Sequence, residues 1–216
     1  MVSETTIGHR ERKKQATRQA LAQAALRLAV ERGPQNVLVA DIAAAAGVAP
    51  RTFNHYFPSK EAAIVAEGAG RAQVLCEALA GRADDEPLWD AVRATVGHLF
   101  SSASEPDRDW VARAQLIKST PVLRVEQQRS DLLVQGLLAA EIARRTGCDA
   151  DRDLYPPLVA GALIGAVRVA IEHWLTTPGP RSATLAATVM DAVQLLARGL
   201  PEPARETLSA TIEEIT

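Results

Sequence analysis

The sequence has few of the residues that mark all-β, disulfide-rich or membrane-spanning proteins. Aromatic residues make up 4% of its 216 residues, and no segment alternates apolar and polar side chains as a half-buried strand would. The two cysteines, Cys76 and Cys148, are too few for a disulfide scaffold and have no metal-ligand spacing, which predicts free thiols. The longest apolar run, Leu158–Val167, is too short to cross a bilayer, and Met1–Gly8 lacks the apolar segment of a signal peptide. These absences predict a soluble, cytoplasmic chain.

The residues that are abundant favour helices. The chain is 47% hydrophobic and 23% charged, as globular proteins are, and its 40 alanines far outnumber its 13 glycines and 12 prolines. We therefore predict an all-α protein. Apolar periodicity, interrupted at glycine and proline, places the helices at Arg10–Arg32, Asp41–Ala46, Pro50–Phe57, Lys60–Leu79, Glu86–Ser102, Asp107–Ser119, Pro121–Thr146, Arg152–Thr176, Ser182–Arg198 and Glu202–Ile215.

Charge is distributed unevenly along the chain. Residues 1–60 contain nine Lys and Arg against four Asp and Glu, a balance of +5, whereas residues 61–216 contain fifteen against twenty-two, a balance of −7. A small basic module joined to a larger acidic one is expected when only the first part meets a polyanion. A solvated basic helix without a partner would give the same balance, so charge alone leaves both interpretations open.

A helix, a glycine-containing turn and a second short helix follow one another across Val37–Phe57, which is the pattern of a helix-turn-helix. In this motif the N-terminal residues of the second helix face base edges in the major groove of DNA. Arg51 has the donors to pair with guanine, and Asn54 has the groups to pair with adenine. The residues that we predict to face bases are Ala49, Pro50, Arg51, Asn54 and His55, although His55 is equally compatible with a merely exposed histidine.

A second set of side chains is expected to contact the DNA backbone. Thr52, Tyr56 and Lys60 have donors for phosphate oxygens, which set register and affinity without reading sequence. Tyr56 is also of a type that packs. Lys13, Lys14 and Arg18 either reach phosphates or the minor groove, or form a solvated helix face.

The string DIAAAAGVAPRTFNHYFPSKEAAI, Asp41–Ile64, closely resembles the signature of the TetR family of bacterial regulators. The resemblance implies a three-helix helix-turn-helix domain over residues 10–64 and a C-terminal domain over residues 65–216 that binds a small effector and forms a homodimer. It also implies a repressor that binds a palindromic operator. The family usually has Thr, Ser and an aromatic residue where this chain has Leu38, Ala49 and Asn54, so we expect a weaker phosphate contact and an altered operator.

The C-terminal part contains two strongly apolar helices, one around Leu158–Val169 and one with a stripe from Leu185 to Leu196, which we expect to pair with a second subunit. An intrachain bundle is the alternative. Arg168 interrupts the first of these helices, where it either meets an anionic effector or pairs with Glu172. The effector-binding candidates are His98, Trp110, Gln115, Tyr155, Arg168, His173 and Trp174.

Two short C-terminal strings suggest an effector class. PVLRVEQQR and VRVAIEHWL are similar to segments of the actinobacterial subgroup that includes the mycofactocin-system regulators, which implies an acyl-CoA-type ligand. Nucleophile-elbow, zinc-protease and P-loop motifs do not occur, and the four histidines have no ligand spacing, so we predict no enzymatic activity, no metal site and no cofactor. The alternative function is a helical dimeric interaction protein of the same fold that has lost DNA binding.

Overall fold

The computed structural model describes residues 3–101, 106, 108–177 and 184–201, and all regular structure in these residues is helical, which confirms the all-α prediction. The last predicted helix, Glu202–Ile215, lies outside the described residues. The described helices are α1 (Ser3–Arg32), α2 (Val39–Ala45), α3 (Pro50–Phe53), α4 (Lys60–Ala80), α5 (Leu88–Ser101), α6 (Arg108–Ser119), α7 (Pro121–Thr146), α8 (Tyr155–Thr176) and α9 (Leu185–Ala197), with a 3-10 helix at Pro34–Asn36.

Helix α3 is shorter than the predicted span Pro50–Phe57. Beyond Phe53 the chain tightens, because the backbone N–H groups of Tyr56 and Phe57 both donate to the Phe53 carbonyl, at 2.9 and 3.0 Å. Pro58 then prevents any continuation. The second helix of the helix-turn-helix is therefore one α-helical turn followed by a compact turn.

A first hydrophobic core joins α1, α2, α3 and the start of α4. Leu21, Ile42, Phe53 and Phe57 are buried in it. Leu123, from the first turn of α7, is also completely buried there. The core of the N-terminal domain thus includes a residue of the C-terminal part of the chain.

Helix α4 connects this first core to a second one. Its start is capped by Ser59, whose hydroxyl accepts the Ala62 N–H at 3.0 Å. Ile64 belongs to the first core, whereas Cys76 and Leu79 belong to the second, which fills the bundle of α5, α7, α8 and α9. One continuous helix therefore runs from the N-terminal domain into the bundle.

The far end of α4 is fixed by a buried guanidinium. Arg145, near the end of α7, has only 2% of its side chain exposed. Its Nη2 donates to the Ala83 carbonyl at 2.6 Å, and its Nη1 donates to the carbonyls of Arg82 and Leu79 at 3.2 and 3.3 Å. The loop between α4 and α5 is thereby held on the end of α7.

The helices expected to pair with a second subunit are partly used inside the chain. Leu185, Val189 and Val193 of α9 are buried in the second core, so the predicted α9 stripe packs within the subunit. On α8, Leu158 and Val169 face outward and remain exposed. By length and composition α8 also matches a membrane span, which the ten-residue apolar run did not indicate, but here it packs between α7 and α9.

Candidate DNA-binding surface and effector cavity

The turn between α2 and α3 is closed by the backbone. Gly47 lies in the left-handed region at φ 69°, which glycine enters without a steric penalty, and the Val48 N–H donates to the Ala43 carbonyl at 2.9 Å. At the start of α2, Leu38 lacks the capping oxygen of the expected threonine. The Asp41 carboxylate instead accepts the Leu38 N–H at 3.3 Å, which preserves half of a capping box.

The residues predicted to face bases are exposed along α3 and at its two ends. The exposed members are Ala49, Pro50, Arg51, Asn54 and His55. Behind them, the rings of Phe53 and Phe57 pack with their centroids 5.7 Å apart and hold α3 in the first core. The surface thus presents a guanidinium, a carboxamide and an imidazole, all of which can hydrogen bond to base edges.

Arg18 is tied to the end of this recognition segment. Its Nη1 donates to the Tyr56 carbonyl at 2.8 Å, and its guanidinium carbon lies 4.4 Å from the centre of the Phe57 ring. The sequence predicted either a DNA contact or a solvated helix face for Arg18. In the structure Arg18 links α1 to the turn after α3.

Lys60, which we predict to contact phosphate, makes two hydrogen bonds within the chain. Its half-buried ammonium donates to the carbonyls of Pro34 and Val37, both at 2.9 Å. Two of its three donors therefore hold the segment before α2 on the start of α4. Thr52 and Tyr56 are half-buried at the edge of the surface, and Lys13 is exposed on α1.

A cavity of about 1460 Å³ lies between the bundle and the N-terminal domain. Apolar residues from the bundle and α6 line part of it, among them Val96, Phe100, Trp110, Leu163, Val167 and Ile171. Polar and charged residues also line it: Arg27 and Glu31 of α1, Arg113 and Lys118 of α6, and Arg124 and Gln127 of α7. Because Ala45 and Ala46 at the end of α2 belong to the same lining, one continuous space reaches from the second core to helices α1 and α2.

The structure brings two of the seven predicted effector-binding residues to the wall of this cavity. Trp110 and Arg168 line it, and the buried Trp174 ring lies behind the wall, edge-on against Trp110, with centroids 6.1 Å apart. The other four are exposed and do not line the cavity: His98, Gln115, Tyr155 and His173. They lie on outward faces of their helices, which the sequence pattern did not distinguish from inward ones.

Sequence reasoning missed much of the polar wall. The buried Thr95 lines the cavity, with its hydroxyl donating to the Ala91 carbonyl at 2.7 Å. Arg124 and Gln127 also line it. They belong to the segment PVLRVEQQR, from which the sequence analysis drew only a similarity to a family subgroup. Their spacing at i and i+3 on a helix was a signal that could have placed both on one face.

Arg168 pairs with Glu172 on the cavity wall, at an Nη1–Oε1 distance of 3.5 Å. About half of each side chain is exposed, so the pair contributes little to stability. The salt bridge and a position facing an effector are therefore compatible.

The Asp131 carboxyl lies in the same wall. Burial raises its pKa above the ordinary value, and the hydrogen bond from Gln127 at 2.8 Å and the charge of Arg168 offset part of this rise.

The corner between α6 and α7 connects the cavity to the first core. Ile117 lines the cavity and also packs, with Leu116, against the first core. Two residues after the helix-starting Pro121, Leu123 is buried in that core. A displacement of α6 would therefore press directly on the domain that carries α3.

In comparisons with known proteins, two family models match separate parts of the chain. Residues 21–66 match the family model described as bacterial regulatory proteins, tetR family, and residues 86–201 match the model described as MftR C-terminal domain. The chain is 32% identical over 173 residues to the HTH-type transcriptional regulator TcmR of Streptomyces glaucescens, covering 77% of this chain and 76% of that protein. It is 30% identical over 176 residues to a putative mycofactocin biosynthesis transcriptional regulator, MftR, of Mycobacterium tuberculosis, covering 81% and 86%.

A solved structure extends the likeness to the fold. The chain matches Thermus thermophilus FadR, a repressor solved in complex with lauroyl-CoA, with a TM-score of 0.51 and 23% identity over 86% of this chain and 96% of that one.

Groups of three or more His, Cys, Asp or Glu able to hold a metal ion do not occur in the described part of the chain. The chain thus belongs to the TetR family of DNA-binding transcriptional regulators, a non-enzymatic family, and carries a C-terminal domain of the MftR type.

Proposed function

We propose that this protein is a cytoplasmic repressor that binds a palindromic operator as a homodimer and releases it when an amphipathic anion of the acyl-CoA type enters the cavity. The observation that carries the proposal is the continuity of that cavity, which extends from the apolar second core to the α1 and α2 helices of the DNA-binding domain. An effector that fills it contacts both the bundle and the domain that meets DNA.

The shape and charge of the cavity support an amphipathic effector. The aliphatic residues of its lining suit a flexible acyl chain. Its rim and walls carry five basic residues and three acidic ones, although residues 61–216 as a whole have a balance of −7. The five basic residues are Arg27, Arg113, Lys118, Arg124 and Arg168, and they form a site of the sign that phosphate groups require.

The α6–α7 corner gives this effector a way to change operator affinity. Arg27 belongs to α1, whereas Lys118 and Arg124 flank the corner, so a phosphate-bearing group between them joins the DNA-binding domain to the bundle. The effector must bind more tightly to the conformation that fits DNA less well, and this difference sets how far operator affinity falls.

The test begins with an operator obtained by random-sequence selection with the full-length protein. Fluorescence anisotropy then measures operator binding at two salt concentrations, with an acyl-CoA chain-length series, free CoA and the free fatty acids. We expect a salt-sensitive complex, because phosphate contacts release counterions, and we expect release by acyl-CoA of a preferred length but not by free CoA. Release by no acyl-CoA would contradict the effector class, and failure to select any DNA would favour the interaction-protein alternative.

Charge reversal of basic residues in the cavity wall tests the site of the anionic group separately. Lys118→Glu and Arg124→Glu should raise the acyl-CoA concentration needed for release about tenfold or more, because each replaces an attraction for phosphate by a repulsion. Arg152→Glu is the matched control, since Arg152 lies in the α7–α8 loop with 87% of its side chain exposed and does not line the cavity. Equal responses in all three variants would show that Lys118 and Arg124 do not hold the anionic group.

A further inference from the structure

An arginine of α1 contacts the recognition segment, which we define as residues 49–57. The Arg18 Nη1 donates to the Tyr56 carbonyl at 2.8 Å, and the Arg18 guanidinium carbon lies 4.4 Å from the centre of the Phe57 ring. Arg18 itself is exposed. One cation of α1 thus contacts two consecutive residues at the end of the segment that we predict to meet DNA.

We propose that Arg18 is a positioning residue for operator recognition. It holds the recognition segment in the orientation that reads base edges, and it does so through the Tyr56 backbone and the Phe57 ring. Arg18 thereby sets how well the protein distinguishes its operator from other DNA. This role concerns DNA binding alone, so it is independent of which effector enters the cavity.

The recognition segment has little internal support. Its helix, α3, has four residues, and the N-cap residue Ala49 makes no side-chain hydrogen bond to the first turn. A single helical turn is unstable by itself in water, because nucleation fixes several backbone angles for one hydrogen bond. Contacts with the rest of the domain must therefore determine how α3 is oriented.

Two aromatic rings hold the inner side of the segment. Phe53 and Phe57 are buried in the first core, with their ring centroids 5.7 Å apart. Apolar burial of this kind anchors the segment but is not directional. The hydrogen bond from Arg18 adds a directional restraint, because such a bond weakens steeply when its angle is lost. Arg18 therefore fixes the backbone at Tyr56 while its cation covers the neighbouring ring.

Helix α1 gives Arg18 a fixed base. Leu21 and Ala22, which follow Arg18 by about one helical turn, are buried in the first core, and Leu21 is completely buried. The Arg18 backbone is therefore held close to that core. A displacement of the Tyr56 carbonyl would break the hydrogen bond instead of moving α1 with it.

The restrained carbonyl lies next to residues that we predict to face bases. Tyr56 directly follows Asn54 and His55, and the same tight turn joins them, with the His55 N–H donating to the Thr52 carbonyl at 3.2 Å. Hydrogen bonds to base edges depend on distance and angle, whereas charge attraction to phosphates falls off slowly with distance. A rotation of this turn would thus weaken base contacts more than phosphate contacts.

A direct phosphate contact is the other role that an exposed arginine can have on this surface. The two roles differ in their response to a change that preserves charge. Lysine keeps the positive charge that attracts phosphate, but it lacks the planar guanidinium that covers a ring and donates to a carbonyl at once. A phosphate contact would therefore survive in Arg18→Lys, whereas Arg18→Met would reduce the salt dependence of binding.

Fluorescence anisotropy with the full-length protein compares the selected operator with a scrambled duplex of the same length over a series of salt concentrations. We expect Arg18→Met to weaken operator binding at least tenfold and scrambled-duplex binding less than threefold, because base contacts are lost and phosphate contacts remain. Arg18→Lys should weaken operator binding at least threefold, with an unchanged salt slope. Arg32→Met removes an exposed arginine at the other end of α1 and should leave both affinities within twofold.

Two results of this comparison would overturn the proposal. Normal operator binding by Arg18→Lys, together with a salt slope reduced by about 0.9 in Arg18→Met, would assign Arg18 to a phosphate contact. Equal weakening on both duplexes, together with a lower melting temperature, would assign it a role in folding alone. We expect both Arg18 variants to melt within a few degrees of the unmodified protein, because substitutions of exposed residues cost little stability.

Isotope labelling observes the hydrogen bond itself. Tyr56–Phe57 is the only Tyr–Phe pair in the sequence, so ¹³C-carbonyl tyrosine combined with ¹⁵N phenylalanine selects this one peptide bond by NMR. We expect its carbonyl signal to shift in Arg18→Met, because the carbonyl loses its donor, and to stay in place in Arg32→Met. An unmoved signal in Arg18→Met would overturn the proposal. The measurement uses the free protein, so it separates the loss of this contact from any direct effect on DNA.

Discussion

Arg51 is the residue whose exposure and chemistry best suit reading of a base. It stands at the start of α3 beside Asn54, on a segment held by two buried phenylalanine rings. We expect Arg51→Ala to weaken operator binding by about 1–3 kcal/mol and to relax specificity at one base pair in each half-site. Competition with operators substituted at single positions measures both effects.

Arg51→Lys is the control for this prediction. It keeps the positive charge but loses the two-pronged guanidinium, so it should lose base discrimination while retaining the salt dependence of binding. Equal weakening of every operator by Arg51→Ala would assign Arg51 to the phosphate backbone instead.

Replacing Lys60 should lower the stability of the protein without changing the salt dependence of DNA binding. Lys60→Met retains the aliphatic stem but removes the donors to Pro34 and Val37, so we expect unfolding in urea to be easier by about 1–3 kcal/mol. The slope of log affinity against log salt should not change, since the ammonium is engaged inside the protein. A slope reduced by about 0.9 would restore the phosphate contact expected from the sequence. Lys13→Met, at an exposed position, is the control for stability.

The two cysteines should differ in reactivity. Burial raises the pKa of the Cys76 thiol, and the nearby Glu141 and Glu77 carboxylates raise it further, so less thiolate is present at a given pH than in a free cysteine. We expect Cys76, measured in a Cys148→Ser variant, to react with a chromogenic disulfide at pH 8 at least about tenfold more slowly than Cys148 does in a Cys76→Ser variant. In denaturant the two rates should converge, and a fast native reaction at Cys76 would contradict its burial.

Residue roles could be predicted from sequence where the governing contact is local. Phe53 and Phe57 lie four residues apart at a short helix, an apolar spacing that is visible in the sequence, and both are buried. Lys60 could not be placed in this way, because its carbonyl partners lie 23 and 26 residues earlier in the chain. The same limit applies to Arg18, whose partner in the Tyr56 backbone is 38 residues away.

At the scale of the helix, Arg145 holds the end of α4 in place. We expect Arg145→Met to reduce the free energy of unfolding by about 2–4 kcal/mol, because it removes a buried donor group from three backbone carbonyls at the end of α4 and in the α4–α5 loop. Chemical denaturation measures the loss. Arg144→Met is the neighbouring control and should have a smaller effect, since about half of the Arg144 side chain is exposed and its ion pairs are with Asp84 and Glu141.

Helix boundaries followed from sequence more reliably than helix faces did. Glycine and proline signals placed α7 at Pro121–Thr146, as observed. The apolar stripe of α9 was also identified, but whether it packs within the subunit or against a second one depends on neighbours distant in sequence. His98 and His173 show the same ambiguity, because a polar residue on an apolar helix indicates no direction by itself.

At the scale of the whole molecule, the cavity sets which effectors fit. Val167→Trp places a large ring in the apolar part, so we expect release of the operator by long-chain acyl-CoA to require at least about tenfold more ligand, while short chains are less affected. Operator affinity without ligand should stay unchanged. Anisotropy titrations with paired chain lengths measure the difference, and equal loss for all lengths would place the acyl chain elsewhere.

The burial of Leu123 in the first core limits how freely the parts of this protein can be exchanged. A chimera that joins residues 1–66 to the regulatory half of another member would lose the side chain that completes that core and leave a void in its place. Such a swap should succeed only if the new α6–α7 corner supplies an apolar residue of similar size at this position. The N-terminal and C-terminal parts of the chain thus depend on each other for a complete core, despite their separation along the sequence.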